Sequence, residues 1–320
     1  MRILITGING FVGTNLVPCL SGHTVYGLDL EDEGLAGVVK TYSWEDLTQD
    51  ALPAVDAIVH LAGKAHATGK PWEAAEYFQV NRDLTVRIFD YFRTHDIEKF
   101  VFFSTVKAVA EEVSGVLTEE AVPDPHGPYG ESKLAAERYI LGCMREDPSC
   151  FAERGVYIFR PCMIHGPGNK GNLNLLYSVV SRGIPWPLGA FDNRRTFTSV
   201  ANICYAVENV LTRRITSGVY NMGDDEALST NEIIEVIGSV LGRRIPVWRL
   251  PRRLIGGLAR VGGWLHLPLN PDRLRKLTEN YLVSNAKIEA ALGIDRMPVR
   301  ARDGLVHTIE SFKKEGGENR

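Results

Sequence analysis

The amino terminus runs from an apolar stretch, Arg2-Ile3-Leu4-Ile5-Thr6, straight into Gly7-Ile8-Asn9-Gly10-Phe11-Val12-Gly13, and a helical pattern follows. Glycine has no Cβ, so it permits the tight turn and lets backbone N–H groups approach a pyrophosphate at the start of the helix. A second apolar run, residues 24–29, ends on Asp29. A carboxylate there accepts from both hydroxyls of an adenosine ribose and repels a 2′-phosphate. Glu31 and Asp32 add to that repulsion. Strand, glycine turn, helix, strand and terminal acid in this order predict a dinucleotide site that takes NAD in preference to NADP.

The rest of the chain extends the same architecture. Apolar runs at 3–6, 24–29, 57–61, 100–104, 156–160 and 219–222 are nearly continuous, as parallel strands covered on both faces must be. Between the third and fourth, Tyr77, Val80, Leu84, Ile88 and Tyr91 recur at helical spacing and give one face to pack on a sheet. Strand–helix–strand repetition predicts an α/β fold with a doubly wound parallel (Rossmann) sheet, binding its ligand beyond the carboxyl ends of the strands. From Gly166-Pro167-Gly168-Asn169 onward the chain turns loop-rich, with breaks at Pro185, Pro187, Pro246 and Pro251. The expected division is a dinucleotide domain over 1–167, joined again by 197–223, and a smaller, mostly helical substrate lobe from 168–196 and 224–320.

Bulk properties exclude several function classes. A net charge of −3 with interspersed signs gives no basic footprint for nucleic acid. The five cysteines are scattered without a C-x-x-C pair, so neither a disulfide scaffold nor a metal cluster is expected, and reduced cytoplasmic thiols fit better. No secretory leader is recognisable. Residues 254–269 are apolar, but Arg260 interrupts them and Gly256, Gly257, Gly262 and Gly263 dilute them. That argues against a membrane span and for a core or interface helix, with surface attachment as the alternative.

The chemistry is carried by Tyr129-Gly130-Glu131-Ser132-Lys133, which puts a phenol and an ammonium four apart on one helical face. A free phenol near pKa 10 is a poor base, and a neighbouring cation together with a positive nicotinamide is expected to lower it. Tyr129 can then exchange a proton with a substrate hydroxyl while the nicotinamide exchanges the hydride. Upstream, a strand empties into Ser104-Thr105-Val106-Lys107, where a hydroxyl can steady the same substrate oxygen.

These features together resemble the extended short-chain dehydrogenases/reductases, of the NAD-dependent epimerase/dehydratase kind. The likeness rests on the G-x-x-G-x-x-G spacing, Asp46-Leu47, His60-Leu61-Ala62-Gly63, Asn81, Thr105 and the Tyr129/Lys133 pair. It implies Tyr129, Lys133 and Thr105 as catalytic residues. It implies cofactor contacts from Gly7, Asn9, Gly10, Phe11, Val12, Gly13, Asp29, Asp46, Leu47, Leu61, Ala62, Gly63, Asn81, Ser104, Tyr129, Lys133 and Pro161. Substrate contacts would come from Thr105, Tyr129, Asn172, Arg195 and Arg273, with the guanidiniums on phosphate oxygens. His165 is expected in a loop near the nicotinamide. Dehydratases of the family carry an Asp-Glu pair after the threonine; here Val106 and Lys107 stand there, which argues against 4,6-dehydration.

The resemblance implies hydride transfer at C4 of a UDP-hexose or UDP-N-acetylhexosamine in surface-polysaccharide precursor synthesis. A UDP-sugar 4-epimerase comes first, because Asp29 favours NAD. A UDP-4-keto-6-deoxy-hexosamine reductase is the alternative, favoured by the tail and by the altered Ala108-Val109-Ala110 segment. A non-catalytic dinucleotide sensor is a third reading, opposed by the retained tyrosine, lysine and threonine. A cytoplasmic homodimer is also implied, pairing helices around 81–95 and 129–144.

Overall fold

The structure, a computed structural model, describes residues 1–65, 74–169, 171–264 and 270–318. The elements in order are β1 (Arg2–Thr6), α1 (Phe11–Cys19), β2 (Thr24–Leu28), β3 (Val38–Tyr42), α2 (Trp44–Thr48), β4 (Ala57–His60) and α3 (Ala74–Phe78). A π-helical turn, Gln79–Asp83, leads into α4 (Leu84–Thr94), followed by β5 (Lys99–Phe103), β6 (Val116–Leu117) and α5 (Pro128–Glu146). Next come β7 (Gly155–Pro161), β8 (Met163–His165), α6 (Asn172–Ser181), β9 (Phe197–Ser199), α7 (Val200–Thr212) and β10 (Gly218–Met222). The chain ends with α8 (Thr230–Val240), α9 (Arg252–Trp264), α10 (Pro271–Thr278), β11 (Leu282–Val283), α11 (Ala286–Leu292) and α12 (Ala301–Glu318).

Seven strands form one parallel sheet in the order β10-β7-β5-β4-β1-β2-β3. Because β1 pairs with β2 on one side and β4 on the other, the connections reverse direction there and open a crevice at the strands' carboxyl ends. The apolar strands serve two cores at once. In β5, Phe100 and Phe102 pack with Ile88, Phe89 and Phe92 of α4 and Ile140 of α5. Val101 and Phe103 face the opposite layer, with Leu16 of α1 and Ile203 and Val207 of α7. Each such buried side chain stabilises the fold by about 1.5–3 kcal/mol.

All six strands expected from the sequence are present. The seventh, β3, is an edge strand whose Val39 and Lys40 are exposed, so it has no continuous apolar run to signal it. The π turn is the other departure. Its inserted residue turns the helix, so the buried face is Asn81, Thr85, Ile88, Phe89 and Phe92, while Val80, Leu84 and Tyr91 are only partly covered.

The carboxyl-terminal segments have a core of their own, including Leu173, Trp186, Ile234, Ile237, Leu305 and Ile309. A small cluster of Val106, Val109, Leu117, Cys162, Tyr281 and Val283 joins it to the sheet, beside the β6–β11 pairing. This gives Ala108-Val109-Ala110 a physical reason: Ala108 and Val109 are buried, and the Ala110 carbonyl accepts from the Tyr281 hydroxyl at 2.7 Å.

Candidate active site

At the glycine turn, Gly7 has φ +69°, and a Cβ on it would lie 2.8 Å from the backbone of Ala62. A Cβ on Gly13 would lie 2.3 Å from the Ile8 carbonyl oxygen. These two positions demand glycine, one to cross the end of β4 and the other to seat α1 against the turn. Gly10 caps α1 without any side-chain hydrogen bond, which leaves the first turn open to an anion; Phe11 and Val12 begin the helix there. Asp29 lies against the same turn, accepting from Asn9 N–H at 3.0 Å and Leu30 N–H at 2.8 Å. The Asn9 side-chain carbonyl oxygen is buried with no hydrogen-bond partner among the described residues.

Asp46 has a different local task. It accepts from the Ser43 backbone at 2.7 Å and the Ser43 hydroxyl at 2.8 Å, forming a capping box for α2, and these bonds hold its carboxyl below the usual range. Leu47 is buried in the core beside it.

Under the turn, a chain of hydrogen bonds runs from β1 to the π turn. Thr85 Oγ1 donates to the Asn81 carbonyl at 2.7 Å, so it must accept from His60 Nε2–H at 2.9 Å. His60 Nδ1 then accepts from Thr6 Oγ1 at 2.6 Å, and Thr6 in turn accepts from Ala62 N–H at 3.1 Å. The network thereby fixes the tautomer of His60. Burial, then the nearby Lys133 cation, hold this imidazole well below its usual pKa and therefore neutral. Leu61 joins the turn through its N–H to the Thr6 carbonyl at 3.1 Å. Of this set, His60, Leu61, Ala62 and Asn81 belong to segments expected at the cofactor; Thr6 and Thr85 were not expected there.

Asn81 is completely buried. Its amide bridges Lys64, accepting from the N–H at 2.7 Å and donating to the carbonyl at 3.0 Å, and also donates to Ser132 Oγ at 3.0 Å. A Cβ on Gly63 would sit 2.9 Å from Lys133 Nζ and 3.1 Å from Asn81 Oδ1, so the ammonium end of Lys133 would have to shift.

The helix carrying Tyr129 starts at Gly127, with φ +92°, and Pro128. A Cβ on Gly130 would lie 2.4 Å from the Lys107 carbonyl oxygen, so α5 can press against the turn after β5 only with glycine there. That contact brings Tyr129 to Thr105, which is buried and hydrogen-bonded to it. Lys133 donates to the Phe103 carbonyl at 2.8 Å and lies over the Phe102 ring at 4.9 Å. Burial brings its ammonium down to about 8, against the opposing pull of Glu137. In the protein without cofactor, burial pushes the Tyr129 phenol up, the Thr105 hydrogen bond draws it back, and Tyr77 pushes it up further. A nicotinamide cation brought in with the cofactor would act in the lowering direction.

Ser104 points elsewhere. Its hydroxyl donates to Glu137, which is fully buried and forms a two-pronged pair with Arg160, from Nε at 3.0 and 3.2 Å and also from Nη2. The sequence offered a signal for Glu137 that went unused: it lies one turn beyond Lys133 on the same face of α5. Pro161 follows Arg160 at the end of β7, buried and paired with Met222.

Asn172 is exposed at the first position of α6. The Arg195 guanidinium pairs with Glu279 at 3.1 Å, and its backbone bridges Leu228 and Tyr281. The Arg273 side chain lies outside the described residues. His165 is in β8 and not in a loop; it is buried, with Nδ1 2.9 Å from Thr308 Oγ1 and Nε2 3.4 Å from Asp224, so it links β8 to α12. Lys107 pairs with Glu111 at 2.6 Å and Val106 is buried, so no acid–base pair for dehydration stands after Thr105. No group of three or more metal-ligating side chains is found among the described residues.

The open helix start, the glycine cradle and the acid at the end of β2 fit a dinucleotide. Comparison with known proteins agrees. The profile of the NAD dependent epimerase/dehydratase family matches residues 3–223. The UDP-glucose 4-epimerase of Vibrio cholerae is 29% identical over 335 residues, covering 97% of this chain and 95% of that protein. The N-acetyl-alpha-D-glucosaminyl-diphospho-ditrans,octacis-undecaprenol 4-epimerase of Escherichia coli O157:H7 is 26% identical over 303 residues, covering 90% and 84%. Among solved structures, the UDP-glucose 4-epimerase of Thermotoga maritima with UDP-glucose superposes with a TM-score of 0.76 at 23% identity, covering 98% of this chain and 99% of that one. The chain is an enzyme of the NAD-dependent epimerase/dehydratase family, and NAD is its cofactor.

Proposed function

We propose that this enzyme is a 4-epimerase of a UDP-hexose or UDP-N-acetylhexosamine, serving surface-polysaccharide precursor synthesis in the cytoplasm. The observation that carries this reading is the meeting of Tyr129, Thr105 and Lys133 where β4 and β5 end, beside the glycine turn. Tyr129 takes the proton of the C4 hydroxyl, and Thr105 holds the same oxygen as it becomes a carbonyl. Lys133 and Asp29 hold the two riboses of the cofactor. NAD bound to these residues would supply the acceptor, and then the donor, of the C4 hydride. Turning the keto sugar between these two events inverts C4.

The remaining assignments belong to this reading. Gly7, Asn9, Gly10, Phe11, Val12 and Gly13 hold the pyrophosphate, and Asp46 and Leu47 border the adenine. Leu61, Ala62, Gly63, Asn81 and Pro161 shape the floor, with Ser104 contributing through its backbone alone, since its hydroxyl is turned to Glu137. Asn172, Arg195 and Arg273 hold the UDP moiety, which requires Arg195 to leave Glu279. Residues 1–167 with 197–223 form the dinucleotide unit, and 168–196 with 224–320 form the substrate lobe. A homodimer would pair α4 and α5 with those of a second copy.

Support comes from the relatives named UDP-glucose 4-epimerase and from the missing dehydration pair. One observation favours a 4-ketoreductase instead: the apolar Ala108–Ala110 segment packed on Tyr281, together with 26% identity to the GDP-6-deoxy-D-mannose reductase of Pseudomonas aeruginosa. The test is to incubate purified protein, with no added cofactor, with UDP-glucose and separately with UDP-N-acetylglucosamine. Appearance of the C4 epimers supports the proposal. No epimer from either, with stoichiometric NADH consumption on a 4-keto-6-deoxy UDP sugar, replaces it with the reductase.

A further inference from the structure

We propose that α9 is an interfacial helix, laying an apolar stripe on a membrane surface that carries anionic lipid. The proposal is independent of the sugar the enzyme uses. From residue 236 to residue 271 the chain has six arginines and no acid. In the middle of this stretch, α9 turns Ile255 and Ala259 into the lobe, where they are buried. Its outer side is not polar. Leu254, Leu258 and Val261 are about half exposed, at 51, 51 and 52%, and Trp264 is 81% exposed.

Spacings of four, three and three put these four side chains on one stripe along a helix about 20 Å long. Arg253 and Arg260, seven apart, border the stripe on the side of Trp264. Both are exposed, and neither is paired with an acid among the described residues. An apolar stripe edged by arginines and ended by tryptophan matches the layers of a bilayer surface. The aliphatic groups enter the acyl boundary, the indole sits at headgroup depth, and the guanidiniums meet lipid phosphate.

A second copy of the chain suits this face less well. Stacking two α9 stripes would bring arginines together with no acid on either helix to answer them. No helix among the described residues is long and apolar enough to cross a membrane, so the contact would be one of lying on the surface. Residues 265–269 lie outside the described residues, and the sequence-based reading of 254–269 as a core or interface helix is narrowed only for the part that forms α9. Its inner face is core, and its outer face is offered to lipid.

The experiment is co-sedimentation of the full-length protein, with its cofactor, with vesicles of equal parts phosphatidylglycerol and phosphatidylcholine, and with vesicles of phosphatidylcholine alone. The native chain should pellet with the mixed vesicles and bind the neutral ones at least tenfold more weakly, an advantage that salt reduces. Leu258→Glu with Val261→Glu should abolish pelleting while leaving the melting temperature and the basal activity unchanged. Arg253→Ala with Arg260→Ala, which unpacks nothing, should weaken binding by roughly twenty-fold. The proposal is overturned if the native chain stays in the supernatant with anionic vesicles, or if both double variants bind as the native chain does. It is equally overturned if the glutamate variant changes only the elution volume, from dimer to monomer, which would assign the stripe to a second copy.

Discussion

Gly130 lies against the carbonyl oxygen of Lys107 so closely that a Cβ would come within 2.4 Å of it. This contact sets the distance between the helix that carries the phenol and the turn that carries the Thr105 hydroxyl. Gly130→Ala must push the two apart. Since a misplacement of about 1 Å can cost on the order of 100-fold in rate, kcat should fall by that order. Bound NAD per subunit should stay unchanged, because the glycine turn is untouched. Rate and cofactor content measured on the same preparation check this; unchanged kcat would show that the contact does not position Tyr129.

Removing the proton carrier should be more severe. Tyr129→Phe keeps the ring and its packing on Tyr77, whose centroid lies 6.4 Å away, but deletes the hydroxyl. Turnover should drop roughly 100- to 10,000-fold with little change in stability. Thr105→Val should give the smaller part of that loss. Full turnover in Tyr129→Phe would remove the phenol from the chemistry.

The pair of Glu137 and Arg160 is a stability element beneath the site. Glu137→Ala would strand a buried guanidinium and free the Ser104 hydroxyl, and should destabilise the fold by about 3–5 kcal/mol. Denaturant unfolding measures this directly. A loss below about 1 kcal/mol would mean that water already reaches the pair.

Lys133 gives a pH signature. Its ammonium drops from the usual 10.5 to about 8 on burial, so above about 8 the unfolded chain binds the proton more tightly than the folded one. Stability from this group therefore rises with pH between about 8 and 10.5, and below about 8 the full cost of burying the charge is present. Lys133→Met should lack that rise and be inactive. At neutral pH it should be more stable than the native chain, by at most about 3 kcal/mol, less whatever the orphaned Phe103 carbonyl costs. Unfolding curves of both proteins at pH 7 and pH 10 decide; parallel pH dependence would refute it.

A second signature lies away from the site. Glu289 is pushed up to about 7, by burial first and then by Asp225, whose carboxyl is already engaged by Asn285 at 2.7 Å and Met297 N–H at 3.1 Å. A raised carboxyl favours the folded state when protonated, so its contribution is complete below about 4.5 and is lost as pH climbs through about 7. Glu289→Gln should flatten this slope, with a change under about 1 kcal/mol because solvent screens the pair. Melting temperatures from pH 5 to pH 8 test it.

The sheet was legible because strands buried on both faces must be apolar throughout, and β3 was hidden because its outer residues meet water. Tyr129, Lys133 and Thr105 were legible because a helix and a strand end fix their directions. Hydrogen-bond partners were not. Nothing in the order of residues tells that Ser104 turns to Glu137 or that Arg195 rests on Glu279, whereas Ser43-x-x-Asp46 carries the spacing of a capping box. The π turn was also invisible, since one extra residue in a helix leaves the apolar count unchanged while rotating everything that follows.

The line of bonds from Ala62 through Thr6, His60 and Thr85 to Asn81 begins on a backbone donor and ends on a backbone acceptor. Its direction is therefore frozen, because reversing any link would set two protons or two lone pairs face to face. His60 is a spacer, not a reservoir, despite lying at the end of a central strand. A proton exchanged by Tyr129 therefore cannot leave along this line.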